Sequence, residues 1–301
     1  MERVNLSSSS SISRIIYGMW RLADDINTSS KHISDKVNLC LDQGITSFDQ
    51  AAVYGLYSAE ALFGEVLKAN PSLRHKIEIV SKCGIVNPSD RYAGVSVSHY
   101  DTSREHIFNS VDASLKNMAT DYLDLLLIHR QDPFLDHHET GKALDDIIKS
   151  GKVKEVGVSN FKSWDFTLLQ SAMKSHLVTN QIEMSLAATD SFTNGDLAFH
   201  QEQATTIMAW SPLGGGKMMK DKGILGKALK KIAVNQNVDI AAVAVAWLLA
   251  HPARICPVMG TNNLNRIAKI SDAMNVKMDR ESWFELYTAS FNDGKLQWRL
   301  P

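Results

Sequence analysis

The stretch that decides the fold is DYLDLLLIHR, from Asp121 to Arg130. Leu123 to Ile128 is almost wholly apolar and ends abruptly on His129-Arg130. A strand covered on one face only would alternate apolar and polar residues. A run without alternation is what a parallel strand covered on both faces shows. Working outward, the same grammar repeats. Strands are expected at Arg14–Trp20, Thr46–Asp49, Ile77–Cys83, Leu123–His129, Val153–Asn160, Val178–Ser185, Ile207–Trp210 and Ile255–Gly260. Helical stretches lie between them: Ser34–Gln43, Ser58–Ala69, Thr102–Met118, Asp136–Ser150, Trp164–Lys174, Asp196–Gln203, Leu225–Ala250 and Leu264–Met274. Gly44 and Gly151 stand where helix C-caps belong. Eight strand–helix units in about 250 residues fit a closed (β/α)8 TIM barrel of the α/β class. Glu281–Ser290 reads as one extra C-terminal helix, and no linker interrupts residues 1–301, so a single domain is expected.

The competing architecture is an open dinucleotide-binding sheet, which carries GxGxxG after its first strand. Here the first strand runs into YGMWRLAD, and GxGxxG occurs nowhere. Lys+Arg number 32 against 33 Asp+Glu, with no basic run, which gives no electrostatic case for nucleic acid or an anionic membrane. Cys40, Cys83 and Cys256 are far apart, with no CxxC, so a reduced, cytoplasmic protein is expected. The longest apolar run, Ile240 to Ala250, is too short to span a bilayer. His137-His138 and the other histidines lack ligand spacing, so no metal is expected. Ser7–Ser11 reads as a short turn or hairpin.

In a barrel of this kind chemistry sits at the C-terminal strand ends. Asp49, Lys82 and His129 end three consecutive strands, and Tyr54 follows Asp49 in a loop that closes over the same mouth. Each alone has a structural reading: a helix cap, a surface lysine, a hydrogen-bonded core histidine. Four together weaken those readings. Strand six places Asn180-Gln181 at its start, and strand seven ends in WSPLGGGK, Trp210 to Lys217.

These residues match a known pattern. GITSFDQAAVYG (Gly44–Gly55), IVSKCG (Ile79–Gly84), DYLDLLLIHR, GKVKEVGVSNF (Gly151–Phe161), TNQIEMS (Thr179–Ser185), WSPLGGG (Trp210–Gly216) and PVMGTNNLNRI (Pro257–Ile267) together resemble the aldo/keto reductases, closest to the bacterial oxidoreductase branch with short substrate loops. The resemblance implies a catalytic set Asp49, Tyr54, Lys82 and His129. It implies reduction of an aldehyde or ketone, with Tyr54 giving the proton, Lys82 and Asp49 tuning the phenol, and His129 orienting the carbonyl.

By the same resemblance Gly18, Met19, Trp20 and Asp49 border the cofactor. Ser159, Asn160 and Gln181 would bind a nicotinamide carboxamide, with Trp210 stacked on the ring. Ser211, Pro212, Leu213, Gly214, Gly215 and Lys217 would cover the pyrophosphate through backbone N–H groups, and Gly260, Thr261, Asn262 and Arg266 would meet the adenosine end. Thr261 and Arg266 suit a 2′-phosphate, which favours NADPH over NADH. Lys269 and Ile270 stand where the family often has Glu and Asn, and Arg130-Gln131-Asp132 precede Pro133 where a proline commonly follows the histidine sooner. The loop Val86–Tyr100 is a candidate lid, with Tyr92 or Tyr100 over the substrate, and Trp298 in the tail is a candidate to reach the pocket. The expected partner is a small carbonyl compound, bound by a monomer or weak homo-oligomer. Two other chemistries fit the barrel less well. A Schiff-base lysine leaves the tyrosine without a role. A nicotinamide-binding sensor with little turnover leaves the complete catalytic set unused.

Overall fold

A computed structural model describes residues 1–291. Eight parallel strands close on themselves: β1 (Ile16–Gly18), β2 (Ser47–Asp49), β3 (Glu78–Cys83), β4 (Leu123–Ile128), β5 (Val153–Ser159), β6 (Leu177–Glu183), β7 (Thr206–Trp210) and β8 (Cys256–Met259). Each pairs with the next in sequence, and β8 pairs with β1 through Val258↔Ile16 and Met259↔Tyr17. The fold is therefore the (β/α)8 barrel expected. The β4 run explains itself. Leu125 and Leu127 point into the barrel beside Val80, Val178, Met208 and Cys256. Leu126 and Ile128 face outward against Ile107, Val111 and Leu144 of the surrounding helices. Both faces are dry, so alternation has nothing to select for.

The helices outside are α1 (Ser30–Asp42), α2 (Ala59–Ala69), α3 (Arg104–Met118), α4 (His137–Lys149), α5 (Ser163–Ser171), α6 (Asp196–Glu202), α7 (Ile224–Gln236), α8 (Ile240–Leu249) and α9 (Leu264–Ile267). Local chemistry sets their starts. Ser29 accepts the His32 N–H, Ser103 that of His106, and Asp136 those of His138 and Glu139. The region Leu225–Ala250, read as one helical stretch, is two helices. Asn237 adopts φ 52° and closes α7, and Asp239 caps α8 through the Ala241 N–H. The expected last helix is α10 (Arg280–Ala289). It is fixed by a reciprocal pair: Trp247 and Trp283 stack at 4.9 Å, and each indole N–H donates to the other's carbonyl, at 3.1 and 3.0 Å.

The Ser7–Ser11 run lies at the tip of an N-terminal hairpin, Arg3–Asn5 against Ser11–Ser13. Val4 and Ile12 join the apolar residues inside the barrel, so the hairpin stoppers its lower end. Only the upper end, where the strands terminate, is left for chemistry. The segment after β3 is not structureless: Ile85–Val86 pairs antiparallel with His99–Tyr100. Among the described residues no single helix is long and apolar enough to cross a membrane.

One buried histidine makes stability depend on acid. His200 on α6 is buried against Phe166 and Phe199, and burial holds its pKa down to about 4 despite Asp196 nearby. The unfolded chain takes up this proton near pH 6.5, the native protein only near 4. Stability is therefore full above about pH 6.5 and falls as pH drops towards 4, by roughly 3 kcal/mol for this group. Thermal melts from pH 7 to 4 should show a declining Tm, and His200→Gln should flatten the decline. An equal slope in both proteins would contradict this account.

Candidate active site

The upper mouth gathers side chains from sequence positions 80 residues apart. Asp49 is the last residue of β2, and Lys82 is the penultimate residue of β3. Both are almost fully buried. The Lys82 ammonium donates to both Asp49 carboxylate oxygens at 2.8 and 2.7 Å, to the Gln50 carbonyl at 2.9 Å, and to the Tyr54 hydroxyl at 2.9 Å. Tyr54 Oη also stands 3.5 Å from Asp49 Oδ2. The Tyr54 ring meets the His129 ring edge-on at 5.9 Å. His129 lies just past β4, held by its N–H on the Cys83 carbonyl at 2.9 Å. Its ring nitrogens bond to none of the described residues, so they face the open mouth.

Tyr54 is placed by strain. Gly55, Leu56 and Tyr57 follow it with φ of 57°, 50° and 72°, three left-handed residues in a row. Such conformations cost non-glycine residues about 1 kcal/mol or more each and cluster at functional loops. At Gly55 the choice is also steric, because a Cβ there would meet Ala23 Cβ at 2.4 Å.

The electrostatics differ from the sequence expectation in one respect. Lys82 was expected to pull the phenol down. In the resting site burial and the Asp49 carboxylate push the Tyr54 pKa well above its usual value, so the phenol keeps its proton. Burial pulls Lys82 down and Asp49 opposes it. His129 is held well below 6.5 by burial and by the positive charges of Lys82 and Arg130, so its imidazole is neutral. The ammonium is nevertheless within 2.9 Å of Oη, poised to bind a phenolate once the proton has left.

The expected cofactor residues divide into those free to bind and those already engaged. Gln181 lies inside β6 rather than at its start, and its amide donates to Asp49 Oδ1 at 2.8 Å across the barrel. Ser159 donates its hydroxyl to the Gln181 carbonyl at 2.8 Å. Asn160, left-handed at φ 62°, donates to the His129 carbonyl and the Ser159 hydroxyl and accepts the Trp210 indole N–H at 2.9 Å. Asn180, its neighbour on β6, turns away to the Phe161 carbonyl and His200. Met19 is buried with its sulfur on Gln50 Nε2, its N–H on the Asp49 carbonyl and its carbonyl taking the Leu22 N–H, both at 2.9 Å. Gly18 serves packing, since a Cβ there would stand 2.9 Å from Val258. Trp20 is 58% exposed, with the Arg21 guanidinium over its ring.

At the phosphate end, Pro212 has no N–H to give, and Gly214 and Gly216 spend theirs on Ser211 and Leu213 carbonyls at 2.8 and 2.9 Å. Among the described residues the Ser211 and Leu213 N–H groups make no backbone bond, and the exposed Lys217 has no ion pair. Gly215 is open, with nothing near a would-be Cβ. Thr261 gives its carbonyl to the Tyr17 hydroxyl at 2.7 Å. Asn262 is fastened on both sides, accepting from the buried Lys36 at 3.0 Å and donating to the Arg21 carbonyl at 2.6 Å, while Lys36 also pairs with Asp25. Gly260 and Arg266 are exposed, and Arg266 has no ion pair among the described residues. Unpaired N–H groups beside free cations suit an anionic phosphate chain. The residues present fit a nicotinamide dinucleotide.

Of the candidate lid, Tyr92 packs edge-on to Tyr57, in the loop that carries Tyr54, at 5.3 Å and stacks on His106 at 6.1 Å. Tyr100 is 41% exposed. Trp298 lies outside the described residues. The sequence reading passed over two contributors. Gln50 acts through its backbone carbonyl, for which no sequence signal exists. Arg130 carries the signal of a cation directly after a strand-end histidine.

A profile of the Aldo/keto reductase family matches residues 14–289. The chain is 60% identical over 289 residues to the 6-dehydroglucose reductase of Agrobacterium fabrum, covering 96% of this chain and 97% of that protein. It is 40% identical over 294 residues to the oxidoreductase YcsN of Bacillus subtilis, covering 96% and 98%. Among solved structures, an aldo-keto reductase from Klebsiella pneumoniae determined in complex with NADPH matches at TM-score 0.83 and 21% identity, covering 99% of this chain and 97% of that one. At that identity the likeness shows the shared fold.

Proposed function

The chain belongs to the aldo/keto reductase family, and on that premise we propose that it reduces a hydroxylated aldehyde of the 6-dehydroglucose type to the alcohol with NADPH. It is an oxidoreductase of a family that acts on small carbonyl compounds with nicotinamide cofactors. The observation that carries the finer reading is the buried Lys82 ammonium bonded at once to Asp49 and to the Tyr54 hydroxyl. The bound dinucleotide supplies hydride to the carbonyl carbon. Tyr54 holds the proton that the carbonyl oxygen must receive, and holds it firmly in the resting site. As charge builds on the carbonyl oxygen, that oxygen becomes the better base and draws the proton from Tyr54. Lys82 then stabilises the phenolate through the bond it already makes. Asp49 fixes the ammonium with two bonds. His129, neutral and free at both ring nitrogens, donates an N–H to the same oxygen and sets its direction.

The substrate class is taken from the 60% identical relative, whose name states reduction of 6-dehydroglucose. Arg266, exposed and without an ion pair among the described residues, supports the NADPH preference as a cation for the 2′-phosphate that NADH lacks. The test is loss of nicotinamide absorbance with 6-dehydroglucose, plain aldehydes and ketones, each with NADPH and NADH. Turnover highest on 6-dehydroglucose with NADPH is expected. Tight NADPH binding without turnover of any carbonyl would point instead to a sensor.

A further inference from the structure

Among the described residues at the mouth, Arg130 is the one whose charge has no assigned use. It follows His129 beyond β4 and is half-buried. Its charge reaches both Tyr54 and His129. Its guanidinium carbon lies 5.9 Å from the Trp210 ring centroid, at the limit of a cation–π contact. Among the described residues it forms no hydrogen bond and no ion pair. The acids nearby are committed elsewhere. Asp49 is held by Lys82 and Gln181. Asp132 accepts from the Thr102 hydroxyl at 2.9 Å and the Phe134 N–H at 2.8 Å. By contrast, the buried Arg14 and Arg74 are both engaged, Arg14 by the Ile255 and Leu249 carbonyls and Arg74 by Asp124, the Thr120 hydroxyl and the Ile77 and Tyr122 carbonyls. An aromatic ring offers no acceptor in its plane, so the N–H fork of Arg130 stays free.

We propose that Arg130 is a specificity-determining residue, whose fork donates two parallel N–H bonds to neighbouring hydroxyl oxygens of a polyhydroxylated aldehyde held with its carbonyl at Tyr54 and His129. This rests on the reading of the site as a carbonyl reductase. A guanidinium matches two adjacent oxygens in geometry that an ammonium does not reproduce. Charge separates hydroxyls from a carboxylate. Lys82 is already neutralised by Asp49, so Arg130 is the net positive charge of the mouth. A diol accepts its bonds and leaves that field acting on the oxygen where negative charge develops. A carboxylate would cancel the field and place an anion near Tyr54, which must itself become an anion.

The test compares the unaltered full-length protein with Arg130→Met and Arg130→Lys, saturated with NADPH, on three aldehydes. These are 6-dehydroglucose, hexanal (six carbons without hydroxyls) and succinic semialdehyde (a carboxylate). The ratio of kcat/KM for 6-dehydroglucose over hexanal should fall about tenfold to a hundredfold in Arg130→Met, mainly through KM. Arg130→Lys should recover only a small part. Equal losses on all three aldehydes, a loss confined to succinic semialdehyde, no change in the ratio, or full rescue by lysine would each overturn the proposal. Turnover of hexanal with none of 6-dehydroglucose by the unaltered protein overturns the substrate reading and this inference with it. The variant comparisons overturn this one alone.

Discussion

Replacing Tyr54 by Phe is expected to lower kcat about a hundredfold to ten-thousandfold, the range general acid catalysis contributes. The change removes one oxygen. Lys82 retains three acceptors, both Asp49 oxygens and the Gln50 carbonyl, so the ion pair stays closed. The ring keeps its edge-on contact with His129. Dinucleotide affinity and Tm should therefore remain close to those of the unaltered protein while turnover collapses. Fluorescence titration with NADPH and steady-state rates on a good aldehyde decide the matter. Near-normal turnover of the purified variant would remove Tyr54 from the role of proton donor. Asp49 is too tightly held by Lys82 and Gln181 to replace it.

Replacing Lys82 by Met should do more damage, because it affects stability as well as rate. Lys82 and Asp49 have side-chain exposures of 0% and 3%. Taking away the ammonium leaves a buried carboxylate facing only neutral donors, the Gln181 amide at 2.8 Å and the Tyr54 hydroxyl at 3.5 Å. Breaking one half of a buried pair typically costs about 3–5 kcal/mol. The double variant Asp49→Asn/Lys82→Met removes both charges of the pair. It should regain most of the lost stability in urea unfolding and yet stay inactive. If the double variant is no more stable than Lys82→Met alone, the cost lies in packing and not in the orphaned charge.

Much of the frame could be read from residue order, and the reasons are physical. Parallel strands covered on both faces must be continuously apolar, so Leu123–Ile128 announces itself, and the polar residue that ends such a run marks the mouth. That logic brings Asp49, Lys82 and His129 to one end of the barrel without a structure. Contacts between distant segments follow no such rule. Gln181 and Asp49 are 132 positions apart and meet because strands β6 and β2 face each other across the barrel. The tether on Asn262 from Lys36 and the freedom of Arg130 are equally invisible, since both depend on what the surrounding side chains have already bound. The break at Asn237 was legible in principle, as an asparagine able to turn left-handed ahead of an aspartate cap, but a strong apolar run on either side outweighed it. The direction of the Tyr54 shift needed burial, which spacing does not report.

The left-handed trio after Tyr54 also bears on how this protein tolerates variation. Leu56 is 67% exposed and would ordinarily be counted a free position in a mutational library. Its backbone says otherwise. At φ 50° the residues that fit are glycine, asparagine and aspartate, and the β-branched ones are the worst. A saturation screen at position 56 should therefore rank substitutions by conformational preference and not by hydrophobicity. Valine, nearly as apolar as leucine, should score below asparagine, and the loss should appear as activity, because the loop that tightens there is the one carrying the proton.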